Sequence, residues 1–378
     1  MRVAMFTDTY TPQINGVVTS IQAFRAELER QGHEVHIFAP ASKDAPKENN
    51  VHRIRSFTFA PYPEYKISVP NPEILDEFER IHADVVHVHT PISIGAVGIG
   101  LARRFNVPAV GTFHTLLPEY THYLVKGSLR LLMSPARQFA WKWCSWFYNR
   151  CDAVIAPSKA TAQLLKEKGV SKPIRIIPTG ISITKPIGKR TAAMFRKKYK
   201  LHGKVLLHVG RVTREKNIAA IIDAAAKIQD AMLAIASDGP HLPELKKYAE
   251  RKSLGGRVRF LGYLSKQELA AAYAAADLFV CASKSETQGI VLLEAAVSAL
   301  PIVALDAPVV SDFIRENRVG IISNERDFAR KILSALNDTK LHSHVSSRAK
   351  AIAQKYSIER CTRELIKLYS KTKSELSH

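Results

Sequence analysis

The sequence predicts an α/β protein made of two doubly wound, Rossmann-like halves. Three observations carry that prediction. The chain has 378 residues, more than one hydrophobic core ordinarily holds, so two domains are expected. Apolar runs alternate with amphipathic segments along its length, and the runs are continuous, as strands covered by helices on both faces require. A polar stretch from about Pro178 to Gly188, with Gly180 and Pro186 inside it, interrupts the pattern once. The halves are therefore expected at 1–180 and 187–355, facing each other across a cleft at their strand C-termini, where such sheets bind ligands. A last helix, about 356–378, is expected to cross back onto the first half.

The strand-like runs of the first half are Arg2–Phe6, Glu34–Ala39, Asp84–His89, Val107–Thr112, Ala153–Ala156 and Pro173–Ile177. Those of the second are Val205–Val209, Met232–Ser237, Val258–Leu261, Leu278–Cys281, Ile302–Leu305 and Gly320–Ser323. Helical patterns such as Ile218–Ile228 and Lys266–Ala276 lie between them, as crossovers between parallel strands must.

A hydrophobic content of 46% with 24% charged residues is that of a soluble globular protein. Cys144, Cys151, Cys281 and Cys361 show neither C-x-x-C nor metal-ligand spacing, so free thiols in a reducing compartment are expected, and no metal. A strand follows Met1 directly and no apolar stretch of bilayer length occurs, so neither a signal peptide nor a membrane span is expected.

The formal charge of +21 favours anionic partners. From Tyr120 to Arg150 there are five cations (Lys126, Arg130, Arg137, Lys142, Arg150) and no acid, and the three tryptophans Trp141, Trp143 and Trp146 fall in this stretch. Read as a helix, Ala136–Arg150 puts Ala136, Phe139, Ala140, Trp143, Trp146 and Phe147 on one face, expected to be core, and leaves Trp141 and Tyr148 beside Arg137 for a lipid headgroup layer. A wholly buried helix is the alternative. No nucleic-acid partner is expected, because no helix-turn-helix, zinc-finger or RNA-recognition signature accompanies the basic residues.

The chemistry concentrates in SETQGIVLLEA. A polar stretch from Ser283 to Gly289 opens an apolar helix, placing Glu286 just before it and Glu294 about two turns in. The N–H groups of Gly289, Ile290 and Val291 are then open donors suited to phosphate oxygens. Two carboxylates there would repel phosphate unless they face sugar hydroxyls, a hexose for Glu286 and a ribose for Glu294. Glu294 is the one charge in an otherwise apolar run, which argues against a merely solvated helix face. Upstream, in VGRVTREKN, Arg211 and Lys216 can supply the compensating cations, a planar fork and a point charge. In the first half, FTDTYTPQINGVVTSI places Gly16 at a helix start where backbone can approach a phosphate, and GTFHT places His114 at the end of a central strand.

These segments, with LERQGHEVHIFAP, DVVHVHTP, SDGP, FLGYLS and ALPIVA, resemble a retaining family-4 glycosyltransferase of the GT-B fold nearly end to end. The pattern is most like the diacylglycerol glycosyltransferases and, more distantly, the phosphatidylinositol mannosyltransferases; GTFHTLLPEYTHYL is the discriminating stretch. The resemblance implies that Arg211 and Lys216 bind the donor diphosphate, with Gly16 behind it. It further implies that Glu286 contacts the hexose, that Gly289, Ile290 and Val291 give backbone and apolar contacts, that Glu294 holds the ribose and that Leu264 lies along the base. His114 would sit beside the transferred sugar, so that His114, Glu286, Arg211 and Lys216 form the catalytic set, while Glu119, Tyr120, His122 and Tyr123 would meet the acceptor. Ser237 in SDGP departs from the family's first glycine at that loop.

The implied reaction moves a hexose from a UDP-sugar or GDP-sugar to a membrane lipid such as diacylglycerol, without a metal or other cofactor. A cytoplasmic enzyme held peripherally at an anionic membrane surface is expected. A front-face route, in which a β-phosphate oxygen takes the acceptor proton, fits the residues better than Glu119 acting as nucleophile. A soluble or polysaccharide acceptor is the alternative substrate class, and a sugar-binding module without catalysis the alternative function class.

Overall fold

The computed structural model describes residues 1–58, 66–69, 72–119, 133–182 and 187–376. They form two compact units, Met1–Ser182 together with Tyr356–His378, and Ile183–Lys355.

The first unit contains β1 (Arg2–Phe6), β2 (Glu34–Pro40), β3 (Val51–Ile54), β4 (Ser56–Thr58), β5 (Lys66–Ser68), β6 (Val85–Val88), β7 (Ala109–Thr112), β8 (Ala153–Ala156) and β9 (Ile174–Ile176). Seven of these form a sheet in the order β3-β2-β1-β6-β7-β8-β9, parallel throughout, and β4 and β5 pair as an antiparallel ribbon. Alternate residues of β1 feed opposite cores: Ala4 and Phe6 join Phe38, Phe78 and Phe147, whereas Val3 and Met5 join Ile21, Phe24 and Leu365. Burial on both faces is why β1 reads as one apolar run. The short segments β3, β4 and β5 escape a reading of apolar runs because VHRI, SFT and KIS mix polar with apolar residues and are only half-buried.

The second unit contains β10 (Lys204–Val209), β11 (Ala231–Ala236), β12 (Val258–Gly262), β13 (Leu278–Cys281), β14 (Ile302–Leu305) and β15 (Gly320–Ser323). Its sheet runs β12-β11-β10-β13-β14-β15, again all parallel. In both units the direction of strand addition reverses beside the first strand, between β1 and β6 and between β10 and β13. Loops that leave the carboxyl ends of such a pair diverge to opposite faces and open a crevice.

The helix Ile358–Leu376 belongs to the first unit and buries Ile358, Cys361, Leu365, Leu368 and Tyr369 against that sheet's second core. Its entry is fixed by Ile181, whose N–H donates to Tyr356 O (2.9 Å) and whose carbonyl accepts from Ile358 N (2.9 Å). Gly180 lets these backbones meet, since a Cβ there would stand 2.5 Å from Ile358 Cα and 2.9 Å from Ser357 C. Gly180→Ala must push backbone against backbone, an overpacking that costs about 1–3 kcal/mol. The variant is expected to melt several degrees lower and to show faster amide exchange in Ile358–Leu376; an unchanged melting temperature would mean that this junction yields freely.

Candidate functional site

In the second unit the chemistry gathers at the β10/β13 reversal. After β10 the chain runs through Gly210 and Arg211 into a 3-10 turn, Arg214–Lys216, which ends on Asn217 in the left-handed conformation (φ 51°). After β13 it runs through Ser283 and Glu286 to Gly289, also left-handed (φ 73°), which starts the helix Ile290–Val297. No side chain caps that helix, so its first N–H groups stay available to an anion. The two loops meet in an ion pair: Lys216 Nζ donates to Glu286 Oε1 at 2.6 Å, with both side chains largely shielded from solvent. Burial disfavours the Lys216 ammonium, but the Glu286 charge and hydrogen bond outweigh it and hold the group above the ordinary lysine range. Lys216 therefore presents a fixed positive charge beside an open helix N-terminus.

Glu294 lies further along the same helix and accepts a hydrogen bond from Tyr273 Oη at 2.8 Å. Burial pushes its carboxyl up to about 6, with the tyrosine pulling the other way. Two neighbouring loops are locked behind Arg211. Val212 N donates to Asp238 O (2.9 Å) and His241 N to Val212 O (3.0 Å), so close that a Cβ on Gly239 would stand 2.4 Å from Val212 O. Ser237 N donates to Gly262 O (2.8 Å), which ties SDGP to the segment carrying half-buried Leu264. Ser237 has φ 111°. A serine is thus held where glycine is favoured, and this is the loop in which the sequence departs from the pattern it resembles.

In the first unit the corresponding reversal lies between β1 and β6. Asp8, in the loop after β1, accepts from Thr90 Oγ1 (2.6 Å), Ser93 Oγ (2.5 Å) and Ile94 N (2.8 Å), pinning the loop after β6. Asn15 caps the helix Gly16–Arg30 by accepting from Val18 N at 3.0 Å. A Cβ on Gly16 would meet nothing within 4 Å, so no internal packing demands glycine there. His114, just past β7, is half-buried, pushed down to about 3 by burial, and hydrogen-bonded through Nε2 to His89 Nδ1 at 3.0 Å. Glu119 pairs with Arg137. Tyr120, His122 and Tyr123, together with Lys126 and Arg130, lie outside the described residues.

The helix Met133–Tyr148 corrects the sequence reading. Trp141 (9% exposed) and Tyr148 (1%) belong to the core, while Phe139 (69%), Trp143 (36%) and Trp146 (45%) are exposed, so Trp141 and Tyr148 do not form an outer face. The helix is apolar most of the way round, and periodicity does not select among its faces. The sheet does: Tyr148 lies over Gly111 and donates from Oη to Thr112 O (3.1 Å), and Trp141 stacks on Phe113 at 6.1 Å. The solvent side carries Trp143 and Trp146 stacked at 4.9 Å, with the Arg150 guanidinium 3.5 Å over the Trp146 ring.

Comparison with known proteins places this architecture. The family described as Glycosyltransferase Family 4 matches residues 14–185, and the one described as Glycosyl transferases group 1 matches residues 189–352. An alpha-monoglucosyldiacylglycerol synthase of Streptococcus pneumoniae is 35% identical over 89% of this chain and 78% of its own length. The chain belongs to glycosyltransferase family 4. A GDP-mannose-dependent alpha-mannosyltransferase of Mycobacterium tuberculosis is 29% identical over 89% of this glycosyltransferase and 87% of its own length. Among solved structures, a sucrose-phosphate synthase from Thermosynechococcus elongatus superposes with TM-score 0.79 over 98% of each chain at 20% identity. The fold of the glycosyltransferase is GT-B, two Rossmann-like domains.

Three side chains at these sites carry no signal that the sequence reading used. His208, buried in β10, donates from Nδ1 to Val280 O (3.0 Å), has no partner on Nε2 among the described residues, and is depressed to about 4 by burial. Tyr273 holds Glu294, and His89 holds His114; the H-x-H at the end of β6, with His87 in the strand and His89 just past it, is the cue for the last.

The raised Glu294 carboxyl gives a stability test with a definite sign. Its folded-state pKa lies above the unfolded value of 4.5, so the protonated form is favoured in the fold and stability is lost as pH rises from about 4.5 through about 6. Glu294→Gln removes that loss, worth at most about 2 kcal/mol. It is expected to raise the melting temperature at pH 8 and leave it unchanged at pH 4; equal effects at both pH values would sever the link to ionisation.

Proposed function

We propose that this glycosyltransferase is a retaining, metal-independent hexosyltransferase that moves a hexose from a UDP-sugar to a glycerolipid such as diacylglycerol at an anionic membrane surface. The observation that carries the reading is the Lys216–Glu286 pair beside the open N-terminus of Ile290–Val297. It sets a cation, a carboxylate and free backbone donors where a sugar diphosphate needs all three. The acceptor class is supported by the Streptococcus pneumoniae relative, whose name joins a glucosyl group to diacylglycerol.

In this reading Arg211, Lys216 and the N–H groups of Gly289, Ile290 and Val291 stabilise the departing diphosphate. Glu286 accepts from hexose hydroxyls while pinning Lys216, Glu294 accepts from the ribose, Leu264 lies along the base, and Gly16 leaves room for phosphate. His114 hydrogen-bonds the transferred sugar. The acceptor proton goes to a β-phosphate oxygen in a front-face transfer, so no base is required of the protein, and Glu119, already paired with Arg137, helps shape the acceptor loop with Tyr120, His122 and Tyr123.

Lys216→Ala removes a cation from a site where charge grows in the transition state, about 3 kcal/mol or a hundredfold in rate. Turnover of labelled donor near the parent value would sink the donor-site assignment. A panel of UDP- and GDP-hexoses, with and without diacylglycerol vesicles, checks the substrates, and transfer to a water-soluble acceptor without vesicles would favour the alternative class.

The membrane contact falls on the exposed stripe Phe139, Trp143 and Trp146, flanked by Arg137, Lys142 and Arg150. Aromatic rings of this kind seat in the headgroup layer, and each nearby cation gains about 1 kcal/mol from an anionic leaflet. Phe139→Ser with Trp146→Ser is expected to weaken sedimentation with anionic vesicles roughly tenfold or more while leaving donor hydrolysis intact. Parent-like vesicle binding would move the contact elsewhere on the protein.

A further inference from the structure

The second sheet splits down its middle, and one side chain spans the split. β10 stays paired with β11 as far as Val209, opposite Ala236, and β13 stays paired with β14 as far as Cys281, opposite Ala304. Between themselves β10 and β13 stop short of those residues, at Leu207 and Phe279. Phe279 N donates to Pro301 O, across to β14. Backbone groups alternate sides along a strand, so the Val280 carbonyl turns toward β10, beyond the last paired residue. His208 meets it there, donating from Nδ1 to Val280 O at 3.0 Å.

An imidazole thus stands in for a strand N–H at the point where the two strands part. Val280 is fully buried, and a buried carbonyl left without a donor is costly, so the bond binds the ring firmly to the neighbouring strand. A carbonyl can only accept, which fixes His208 as the tautomer protonated on Nδ1. The buried ring also stacks on Phe279 with centroids 6.4 Å apart. Burial keeps it neutral, pushing it down to about 4; the bond to Val280 opposes that, the Lys216 charge adds to it and the Glu286 charge opposes it. Both charges reach the ring because the loop after β10 carries Lys216 and the loop after β13 carries Glu286. The width of the split sets how far apart those loops begin.

We infer that His208 is a positioning residue for the Lys216–Glu286 pair: by bridging β10 and β13 from Nδ1 to Val280 O, it fixes the gap across which Lys216 Nζ reaches Glu286 Oε1 at 2.6 Å. Without that donor the two strands are free to part or slide beyond Leu207 and Phe279, and a contact made by two separate loops has little tolerance for such a shift. His208 acts through the strands and meets no substrate in this role. The inference rests on the proposed function only for its catalytic consequence; the ion pair can be observed without it.

The test uses full-length protein. In the parent labelled with 15N-histidine, His208, assigned by loss of its signals in His208→Asn, is expected to be protonated on Nδ1 alone at pH 7.5. In protein labelled with 15N-lysine, Lys216, assigned by loss in Lys216→Ala, is expected to give an ammonium signal whose hydrogens exchange slowly because Glu286 holds them. His208→Leu keeps the bulk and removes the donor. It is expected to lose that signal and to lower kcat for labelled UDP-hexose roughly tenfold or more, at a temperature where the variant is folded. His208→Asn, whose amide N–H stands where Nδ1–H was, is expected to restore both. An Nε2-protonated His208 in the parent overturns the inference, as does a His208→Leu variant that keeps the Lys216 signal. If His208→Leu does not fold, loss of the signal in folded His208→Asn overturns it equally. Parent-like turnover in Lys216→Ala would instead remove the proposed role of the pair in catalysis, and the ammonium signal alone then decides whether His208 positions it.

Discussion

Parallel pairing between β10 and β13 is the constraint on which the Lys216–Glu286 pair depends. Leu206 lies opposite Leu278, although the intervening chain contains two further strands that pair on the other side of β10. Because both strands point the same way, the loops that leave them emerge at one end of the sheet, and Lys216 can reach Glu286. Neither residue could keep its charge cheaply in that half-buried place alone. The Glu286 carboxylate holds Lys216 charged, with an uncapped helix terminus beside the pair.

The first unit solves a different problem with the same topology. There the reversal between β1 and β6 is tied by a carboxylate, Asp8, that accepts three hydrogen bonds from the following loop and helix, and the helix after β1 is capped by its own Asn15. The buried histidines beside that reversal are neutral imidazoles and not ions. Burial keeps His87, His89 and His114 uncharged, so the orientation of each ring is enforced by hydrogen bonds alone.

Much of this was legible in the residues. The strands β1, β8, β13 and β14 begin and end where the expected runs do, because two-sided burial leaves no alternation to misread. Glu286 and Glu294 fall before and within a helix as their spacing requires. What stayed hidden depended on contacts between distant segments. LVKGSLRLLMSPARQFAWKWCSWFYNR offers several apolar helix faces, and only Gly111 and Phe113 on the sheet select Trp141 and Tyr148 for the interior. The sequence marks Ser237 only as standing where the family has a glycine, and its φ of 111° shows the backbone still doing what a glycine would do. Tyr273 and His208 are invisible as partners because a tyrosine or histidine in an apolar run looks like core.

The return of Ile358–Leu376 to the first unit has a consequence for the order in which the protein is made. Tyr369 closes over His87, and Leu365 and Leu368 complete a core begun by Val3 and Met5. On the ribosome the second unit can therefore bury its own core while the first is still missing a wall. The nascent first unit exposes apolar sheet surface until residues near Thr372 emerge, a long wait for contacts of such sequence separation. A chaperone that recognises extended apolar surface has its longest window there, and a chain cut short before that helix would be left with a finished second unit and an unfinished first.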